Sequence, residues 1–204
     1  METNQEYWNE IFETKSPNEV SWTQEIPETS LQFIHSCKLP QTAAIIDVGG
    51  GDSKLVDFLL AEGFENISVL DISEKALEKA KKRLGEKAGK VAWIVTDITE
   101  FKSSQTFDLW HDRAAFHFLT SDVQIAKYLE IAAQYIKSGG FLVIGTFSPD
   151  GPTKCSGLEI KQYNEDALTQ QFEAYFTKIN CRREDHKTPF GTIQNFQFCA
   201  FQRK

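Results

Sequence analysis

The stretch DVGGGDS, residues 47–53, places an acid before three consecutive glycines, a combination typical of loops that hold a nucleotide. A short apolar run, AIIDV at 44–48, leads into it, and a helix-like pattern follows. Gly49 and Gly51 lack a Cβ atom, so the backbone there can approach a ligand closely. In a dinucleotide-binding G-x-G-x-x-G loop the third glycine would stand where this chain has Lys54. A bound pyrophosphate is therefore disfavoured.

Two further acids follow strand-like runs. Asp71 belongs to ISVLDI (67–72), and Asp97 comes just after VAWIV (91–95). A carboxylate at the position of Asp71 can accept hydrogen bonds from both ribose hydroxyls of a nucleotide. A single Asp at such a turn is often only a helix cap. Three acids after three consecutive strands, with the glycine loop at the first, favour a nucleotide site.

Short apolar runs alternate with helix-like patterns from residue 44 onward. The remaining runs are FDLWH (107–111) and GFLVIGTF (140–147). The helical patterns, 53–63, 73–85 and 121–140, each begin with Ser as a possible N-cap and end in Gly. This alternation predicts an α/β fold in which a parallel sheet carries helices on both faces.

The two ends of the chain differ from this pattern. Residues 5–15 predict one helix, and a loop follows through 21–28. Beyond 147 we expect a loop at 148–163, a helix capped by Asn164, and a C-terminal hairpin made by strands at 176–188 and 192–204. Without repeats or linkers, residues 1–204 are predicted to be a single domain, with an N-terminal segment at 1–40 and the core at 41–204.

The composition excludes several classes of protein. A net charge of −7 disfavours binding to nucleic acid, which depends on phosphate neutralisation by Lys and Arg. No apolar run approaches the roughly 20 residues of a membrane span, and no secretory signal is present. The four cysteines show no zinc spacing, so no metal is expected. We therefore expect a cytoplasmic protein with free thiols, no membrane partner and no nucleic-acid partner.

The pattern Asp47-x-Gly49-x-Gly51-x-Ser53 resembles the glycine motif of class I S-adenosylmethionine-dependent methyltransferases, with Ser53 in place of their last glycine. The resemblance covers residues 44–147 and extends to the C-terminal hairpin. It implies a Rossmann-like three-layer sandwich with a seven-stranded, mostly parallel sheet in the order 3-2-1-4-5-7-6 and an antiparallel last strand. It also implies a methyltransferase that uses S-adenosylmethionine and releases S-adenosylhomocysteine.

The resemblance assigns roles to the three acids. Asp47 orients the loop or reaches the methionine ammonium, Asp71 binds the ribose, and Asp97 accepts from the adenine amine while Ile98 packs on the ring. The implied cofactor-binding residues are Asp47, Gly49, Gly50, Gly51, Ser53, Asp71, Ile72, Asp97, Ile98, His111 and Trp22.

The fourth strand should end where the methyl group is transferred. His111 and Asp112, in FDLWHDRAAFHFL (107–119), are the candidate catalytic residues, since His titrates near neutrality and can serve as a general base. The alternatives are that His111 only shapes the turn and that Asp112 forms a structural pair with Arg113. Arg113 could equally fix the loop over the cofactor.

The acceptor remains open between a protein lysine and a small molecule. WHDRAAFHFLT and GPTKCSGLEIKQY are similar to small stand-alone methyltransferases, a group that includes the citrate synthase lysine methyltransferase. Motifs for amide or adenine nitrogen, for cytosine, and for magnesium-dependent O-methylation are absent. The loop 148–163 is a candidate acceptor element through Ser156 and Tyr163. The other functions considered are a non-catalytic binding or scaffold module and a nicotinamide-dependent oxidoreductase, whose Tyr-x-x-x-Lys pair is missing.

Overall fold

The structure is a computed structural model that describes residues 4–204. Its helices are α1 (Asn4–Thr14), α2 (Glu28–Ser36), α3 (Leu55–Ala61), α4 (Glu74–Leu84), α5 (Asp122–Tyr135) and α6 (Glu165–Phe172). Its strands are β1 (Ala44–Val48), β2 (Asn66–Asp71), β3 (Val91–Val95), β4 (Phe107–Arg113), β5 (Ile136–Phe147), β6 (Lys154–Cys155), β7 (Leu158–Glu159), β8 (Phe176–Lys187) and β9 (Ile193–Arg203).

The main sheet has seven strands in the order β3-β2-β1-β4-β5-β9-β8. Strands β3, β2, β1, β4 and β5 pair in parallel, whereas β9 runs antiparallel to both β5 and β8. This order confirms the prediction, because β6 and β7 form a separate two-stranded hairpin outside the sheet. The carboxyl ends of the parallel strands thus share one edge, where ligands of such folds bind.

Two apolar layers cover the faces of the sheet. In β1, Ile45 belongs to one buried cluster, whereas Ile46 and Val48 belong to the other, as the period of two in a strand requires. The cluster around Ile45 includes residues of α2, α3 and α4, and the cluster around Ile46 includes residues of α5 and α6. Helices therefore pack on both faces, which confirms the predicted three layers.

Helix starts follow the predicted caps in most cases. The side chains of Ser73, Ser121 and Asn164 accept hydrogen bonds from the third residue of α4, α5 and α6, respectively. The prediction was wrong for α3, which begins after Lys54, while Ser53 Oγ accepts from Leu55 N at 3.1 Å. It was also wrong for the end of α5, because the chain passes directly from Tyr135 into β5.

Two elements were absent from the sequence-based prediction. Helix α2 lies in a segment for which no helix was expected, and Pro27 at its N-cap makes no side-chain cap hydrogen bond. The loop at 148–163 contains the short β6–β7 hairpin.

The expectation of four free thiols was wrong for two of them. Cys181 and Cys199 form a disulfide between β8 and β9, where they stand directly opposite each other. Cys37 and Cys155 are free.

Candidate functional site

A cavity of about 350 Å³ opens at the carboxyl ends of the parallel strands. All of the predicted cofactor-binding residues line this one cavity: Asp47, Gly49, Gly50, Gly51, Ser53, Asp71, Ile72, Asp97, Ile98, His111 and Trp22. They come from the ends of β1, β2, β3 and β4 and from the N-terminal segment. Their roles toward a cofactor remain predictions.

The glycine loop after β1 is closely packed against the turn after β4. Gly49 has φ +65°, and a Cβ atom there would lie 2.3 Å from the Cβ of Ala115. A Cβ atom on Gly51, at φ +48°, would lie 3.2 Å from Asp71 Oδ2 and 3.3 Å from Phe12 Cζ. A side chain at either position would displace the loop, so glycine is required here for both conformation and space.

Arg83 of α4 fixes the far end of the glycine loop. Its Nη1 donates to the carbonyl of Asp52 at 2.7 Å and its Nη2 to the carbonyl of Ser53 at 2.8 Å. The same guanidinium pairs with the Asp57 carboxylate, Nη2 to Oδ2 at 2.8 Å. The glycine loop is thus held in place from α4.

Asp71 is a nearly buried carboxylate at the end of β2, with 7% of its surface exposed. Its Oδ1 accepts from Ser73 N at 2.8 Å. Burial raises its pKa to about 7, and the nearby carboxylates of Asp47 and Asp52 add to the rise, against hydrogen bonds from the backbones of Ser73 and Gly51. A group that donates hydrogen bonds to Asp71 would stabilise its charged form.

Asp97 caps a turn and also lines the cavity. Its Oδ1 accepts from Thr99 N at 2.8 Å and from Thr99 Oγ1 at 2.7 Å, so it caps the short turn at Ile98–Glu100. It also lines the cavity beside Ile98. A capping role therefore does not remove Asp97 from the cavity.

His111 links three elements through both ring nitrogens. Its Nδ1 lies 2.7 Å from Asp47 Oδ1, and its Nε2 lies 2.8 Å from Ser30 Oγ on α2. The residue is 3% exposed. A carboxylate oxygen accepts hydrogen bonds, so the contact with Asp47 is satisfied by the tautomer in which Nδ1 donates and Nε2 accepts from the Ser30 hydroxyl. Ser30 was not found from the sequence, since the helix that carries it was not predicted.

Asp112 points away from the cavity and is fully buried. It accepts hydrogen bonds from Phe116 N at 3.0 Å, Ala115 N at 3.2 Å and Tyr128 Oη at 2.9 Å. Burial raises its pKa to about 6 against these three donors. Its contacts hold the turn after β4, and they place no atom of Asp112 beside the cavity.

Arg113 lines the cavity and does not pair with Asp112. Its Nη1 donates to the carbonyl of Trp22 at 3.0 Å, and its Cζ lies 4.7 Å from the ring centre of Phe196. The next residue, Ala114, has φ +63°, a strained conformation for a residue with a Cβ atom.

An aromatic group from the N-terminal segment covers the cavity. Trp8 of α1 contacts Trp22 and Phe118, with ring centres 6.0 and 5.0 Å apart, and Phe12 contacts Trp22 at 5.9 Å. All four of these rings line the cavity, so Trp8 and Phe12 connect α1 to the site. Asn9 ties α1 to α4, since its Oδ1 accepts from Ser73 Oγ at 2.8 Å.

The two loop residues considered for acceptor contact lie elsewhere. Tyr163 is 2% exposed and belongs to the apolar cluster under α5 and α6. The carbonyl of Ser156 accepts from the Tyr7 hydroxyl. Neither residue lines the cavity, whereas Cys155 does, and burial raises the pKa of its thiol to about 11.

Within residues 4–204, no three or more His, Cys, Asp or Glu side chains are grouped so as to hold a metal ion. Over the same residues, no helix has the length and apolar character needed to cross a membrane.

Residues 45–140 match the family model described as a methyltransferase domain. Together with the sheet order and the cavity, this match decides the family. Residues 45–140 form a class I, S-adenosylmethionine-dependent methyltransferase domain. The citrate synthase lysine methyltransferase group is not singled out by this match.

Known proteins similar to the chain act on different acceptors, by their names. The eEF1A lysine and N-terminal methyltransferase of Mus musculus is 21% identical over 69% of this chain and 20% of its own length. The malonyl-[acyl-carrier protein] O-methyltransferase of Anoxybacillus flavithermus is 32% identical over 53% of this chain and 39% of its own. The chain thus spans well under half of these two relatives.

A solved structure shares the fold of this methyltransferase domain over nearly the whole chain. The N-methyltransferase NodS from Bradyrhizobium japonicum, in complex with S-adenosylhomocysteine, has a TM-score of 0.75 and 15% identity. The alignment covers 98% of this chain and 99% of that one.

The cavity of this domain fits S-adenosylmethionine. The backbone approaches closely at Gly49 and Gly51, and a buried carboxylate at Asp71 has remaining capacity to accept hydrogen bonds. Asp97 and Ile98 supply a polar and an apolar group at the end of β3.

Proposed function

We propose that this protein transfers a methyl group from S-adenosylmethionine to an acceptor that is either a protein lysine or a small molecule. The observation that carries the proposal is that one cavity collects the glycine loop and the acids at the carboxyl ends of β1, β2 and β3. The methyltransferase match over residues 45–140 supports it. The named relatives include both a lysine methyltransferase and an O-methyltransferase, so they support both acceptor classes.

We assign the two ends of the cavity as follows. Asp71 accepts from the ribose hydroxyls, Asp97 and Ile98 hold the adenine, and the glycine loop faces the methionine part. S-adenosylmethionine supplies a methyl group on a positively charged sulfur, which already makes a good leaving group. The protein then mainly has to hold the acceptor in line and keep water out.

His111 and Asp112, predicted as catalytic residues, are proposed here to act as positioning residues. Both nitrogens of His111 have partners, so we propose that it positions Asp47 and α2 around the cofactor. Asp112 holds the turn that carries Arg113 and Ala114. A general base is needed only if the acceptor atom carries a proton that must be removed.

Calorimetric titration with S-adenosylhomocysteine, with NADH as the control ligand, tests the proposal. We expect S-adenosylhomocysteine to bind with a micromolar Kd and NADH not to bind. Binding of NADH alone would support the oxidoreductase alternative. Tight binding of S-adenosylhomocysteine would justify a screen for acceptors with labelled methyl donor.

We further propose that the protein acts in the cytoplasm. The free thiols of Cys37 and Cys155 support this location, whereas the Cys181–Cys199 disulfide opposes it, because disulfides persist mainly in oxidising compartments. Alkylation of thiols in freshly lysed cells separates the two cases. Four modified cysteines would support the cytoplasm, and two would oppose it.

A further inference from the structure

Arg113 is a cation whose hydrogen bonds are incomplete. Within residues 4–204, its Nε and Nη2 atoms are buried and have no hydrogen-bond partner, while Nη1 donates to Trp22 O. The guanidinium stacks on Phe196, which supplies a ring face instead of an oxygen. A buried charged donor without a hydrogen-bond partner is strongly unfavourable. The described residues supply no acceptor for Nε and Nη2, so a bound molecule is needed to provide one.

Within residues 4–204, no carboxylate forms a direct ion pair with Arg113, although the charges of Glu184 and Asp47 act on it from a greater distance. Glu184 on β8 is close enough to raise its pKa, but the ion pairs among residues 4–204 do not include Arg113. Glu184 Oε1 instead accepts from Gln24 Nε2 at 3.4 Å, and its Oε2 is buried without a partner. Burial lowers the pKa of Arg113 to about 10, so the guanidinium remains charged at neutral pH.

The position of Arg113 separates it from the nucleoside end of the cavity. Asp71 ends β2 and Asp97 follows β3, on one side of β1, whereas Arg113 ends β4, on the other side. Arg113 follows His111 by two residues, so both side chains lie on the same face of the strand. Around it the cavity is lined by Trp22, Gln24, Ala114 and Cys155.

We propose that Arg113 binds a carboxylate of the acceptor, and that the acceptor is therefore a small carboxylated molecule. This inference rests on the proposed function for the position of the methyl donor. The planar guanidinium matches a carboxylate through two parallel hydrogen bonds. A lysine ammonium, by contrast, would be repelled by the same buried cation. The rings of Trp22 and Phe118 offer apolar surface for the body of such a molecule.

A panel of acid–amide pairs tests the proposal. The probes are acetate, benzoate, phenylacetate and indole-3-acetate, each against its neutral amide, titrated by calorimetry into protein saturated with S-adenosylhomocysteine. We expect at least one acid to bind at least tenfold more tightly than its amide. Arg113→Gln should reduce that preference to less than twofold, with the Kd for S-adenosylhomocysteine within threefold of wild type.

Two variants act as controls. Arg182→Gln removes another arginine that stacks on a ring, Phe33, and does not line the cavity, so it should keep the full preference. Arg113→Lys keeps the buried positive charge but loses the planar guanidinium and its paired donors. This variant should still bind the acid a few fold more tightly than its amide. It also keeps the test valid if Arg113→Gln does not fold.

Three results would overturn the carboxylate proposal. One is equal binding of acids and amides, and another is no binding of any acid. The third is a large loss of S-adenosylhomocysteine affinity in Arg113→Gln without an acid preference in wild type, which would assign Arg113 to the carboxylate of the cofactor. Failure of the wild-type protein to bind S-adenosylhomocysteine would overturn the proposed function instead. In that case the acid–amide panel, titrated into the protein without S-adenosylhomocysteine, still decides whether Arg113 binds a carboxylate.

Discussion

At the scale of single residues, Asp71 is a carboxyl group in surroundings that disfavour its charged form. Its carboxylate is buried beside Asp47 and Asp52, and its pKa of about 7 lies well above the ordinary value of 3.8. The folded protein therefore binds a proton here more tightly than the unfolded chain does. From this group, the free energy of unfolding decreases as the pH rises from about 4 to about 7.

Asp71→Asn should move stability and affinity in opposite directions. At pH 8 we expect a higher melting temperature without ligand, because the buried charge is gone. The affinity for S-adenosylhomocysteine should fall by about 1–3 kcal/mol, as hydrogen bonds to a charged acceptor are lost. Calorimetry and thermal unfolding measure the two effects, with exposed Asp166→Asn as control. Unchanged affinity would contradict the placement of the ribose.

His111→Ala should reduce cofactor affinity together with turnover. The substitution leaves Asp47 Oδ1 and Ser30 Oγ without their partner in a buried site, and an orphaned buried group costs about 1–3 kcal/mol. Measurement of the Kd for S-adenosylhomocysteine beside kcat separates the two roles. A loss of kcat with an unchanged Kd would restore the general base.

At the scale of elements, the site depends on two helices that lie before the methyltransferase match. Helix α1 covers the cavity with Trp8 and Phe12, and α2 supplies Ser30 to His111. Both precede residue 45, where the family match begins. The sequence predicted α1, as a helix over 5–15, but missed α2, whose short span follows a proline without a capping side chain.

Asn9→Ala should loosen α1 from α4 and weaken cofactor binding. Asn9 Oδ1 accepts from Ser73 Oγ and from Lys75 N, directly beside the end of β2. Loss of these hydrogen bonds should lower stability by about 1 kcal/mol and S-adenosylhomocysteine affinity by a few fold. Exposed Glu10→Ala on the same helix is the matched control. Equal behaviour of the two variants would mean that α1 does not act through this contact.

At the scale of the whole molecule, the buried His117 should lower the stability of the folded protein at acidic pH. It is 0% exposed, and burial lowers its pKa from 6.5 to about 3, with the charge of Arg113 adding to the effect. Below pH 6.5 the unfolded chain takes up a proton that the folded protein refuses. As the pH falls from about 6.5 toward 3, the free energy of unfolding should therefore decrease by up to about 1.4 kcal/mol per pH unit from this group alone.

His117→Gln should flatten this dependence. Urea unfolding at pH 7.5 and pH 5 should show a smaller loss of stability in the variant than in wild type. His35→Gln, which changes an exposed histidine beside Glu62, should retain the slope of wild type. The same slope in all three proteins would show that His117 is protonated in the folded state.

The molecule shows where sequence reasoning succeeds and where it stops. The alternation of strands and helices and the glycine loop follow from local patterns, because glycines and acids at strand ends indicate their own positions. The strand order came from the family resemblance that the glycine loop carries. The Cys181–Cys199 pair depends on the register of a hairpin centred on Phe190, and no local pattern fixes that register. The partners of His111 and Arg113 come from residues 81 and 91 positions away, and such contacts depend on packing of distant elements.

The contact between Gly49 and Ala115 has a consequence for evolution. The two positions share one space, since a methyl group at 49 would lie 2.3 Å from the methyl group already present at 115. A relative that tolerates a larger residue in the glycine loop should therefore carry glycine at the position of Ala115, and covariation between these two columns should link the cofactor loop to the turn that presents Arg113.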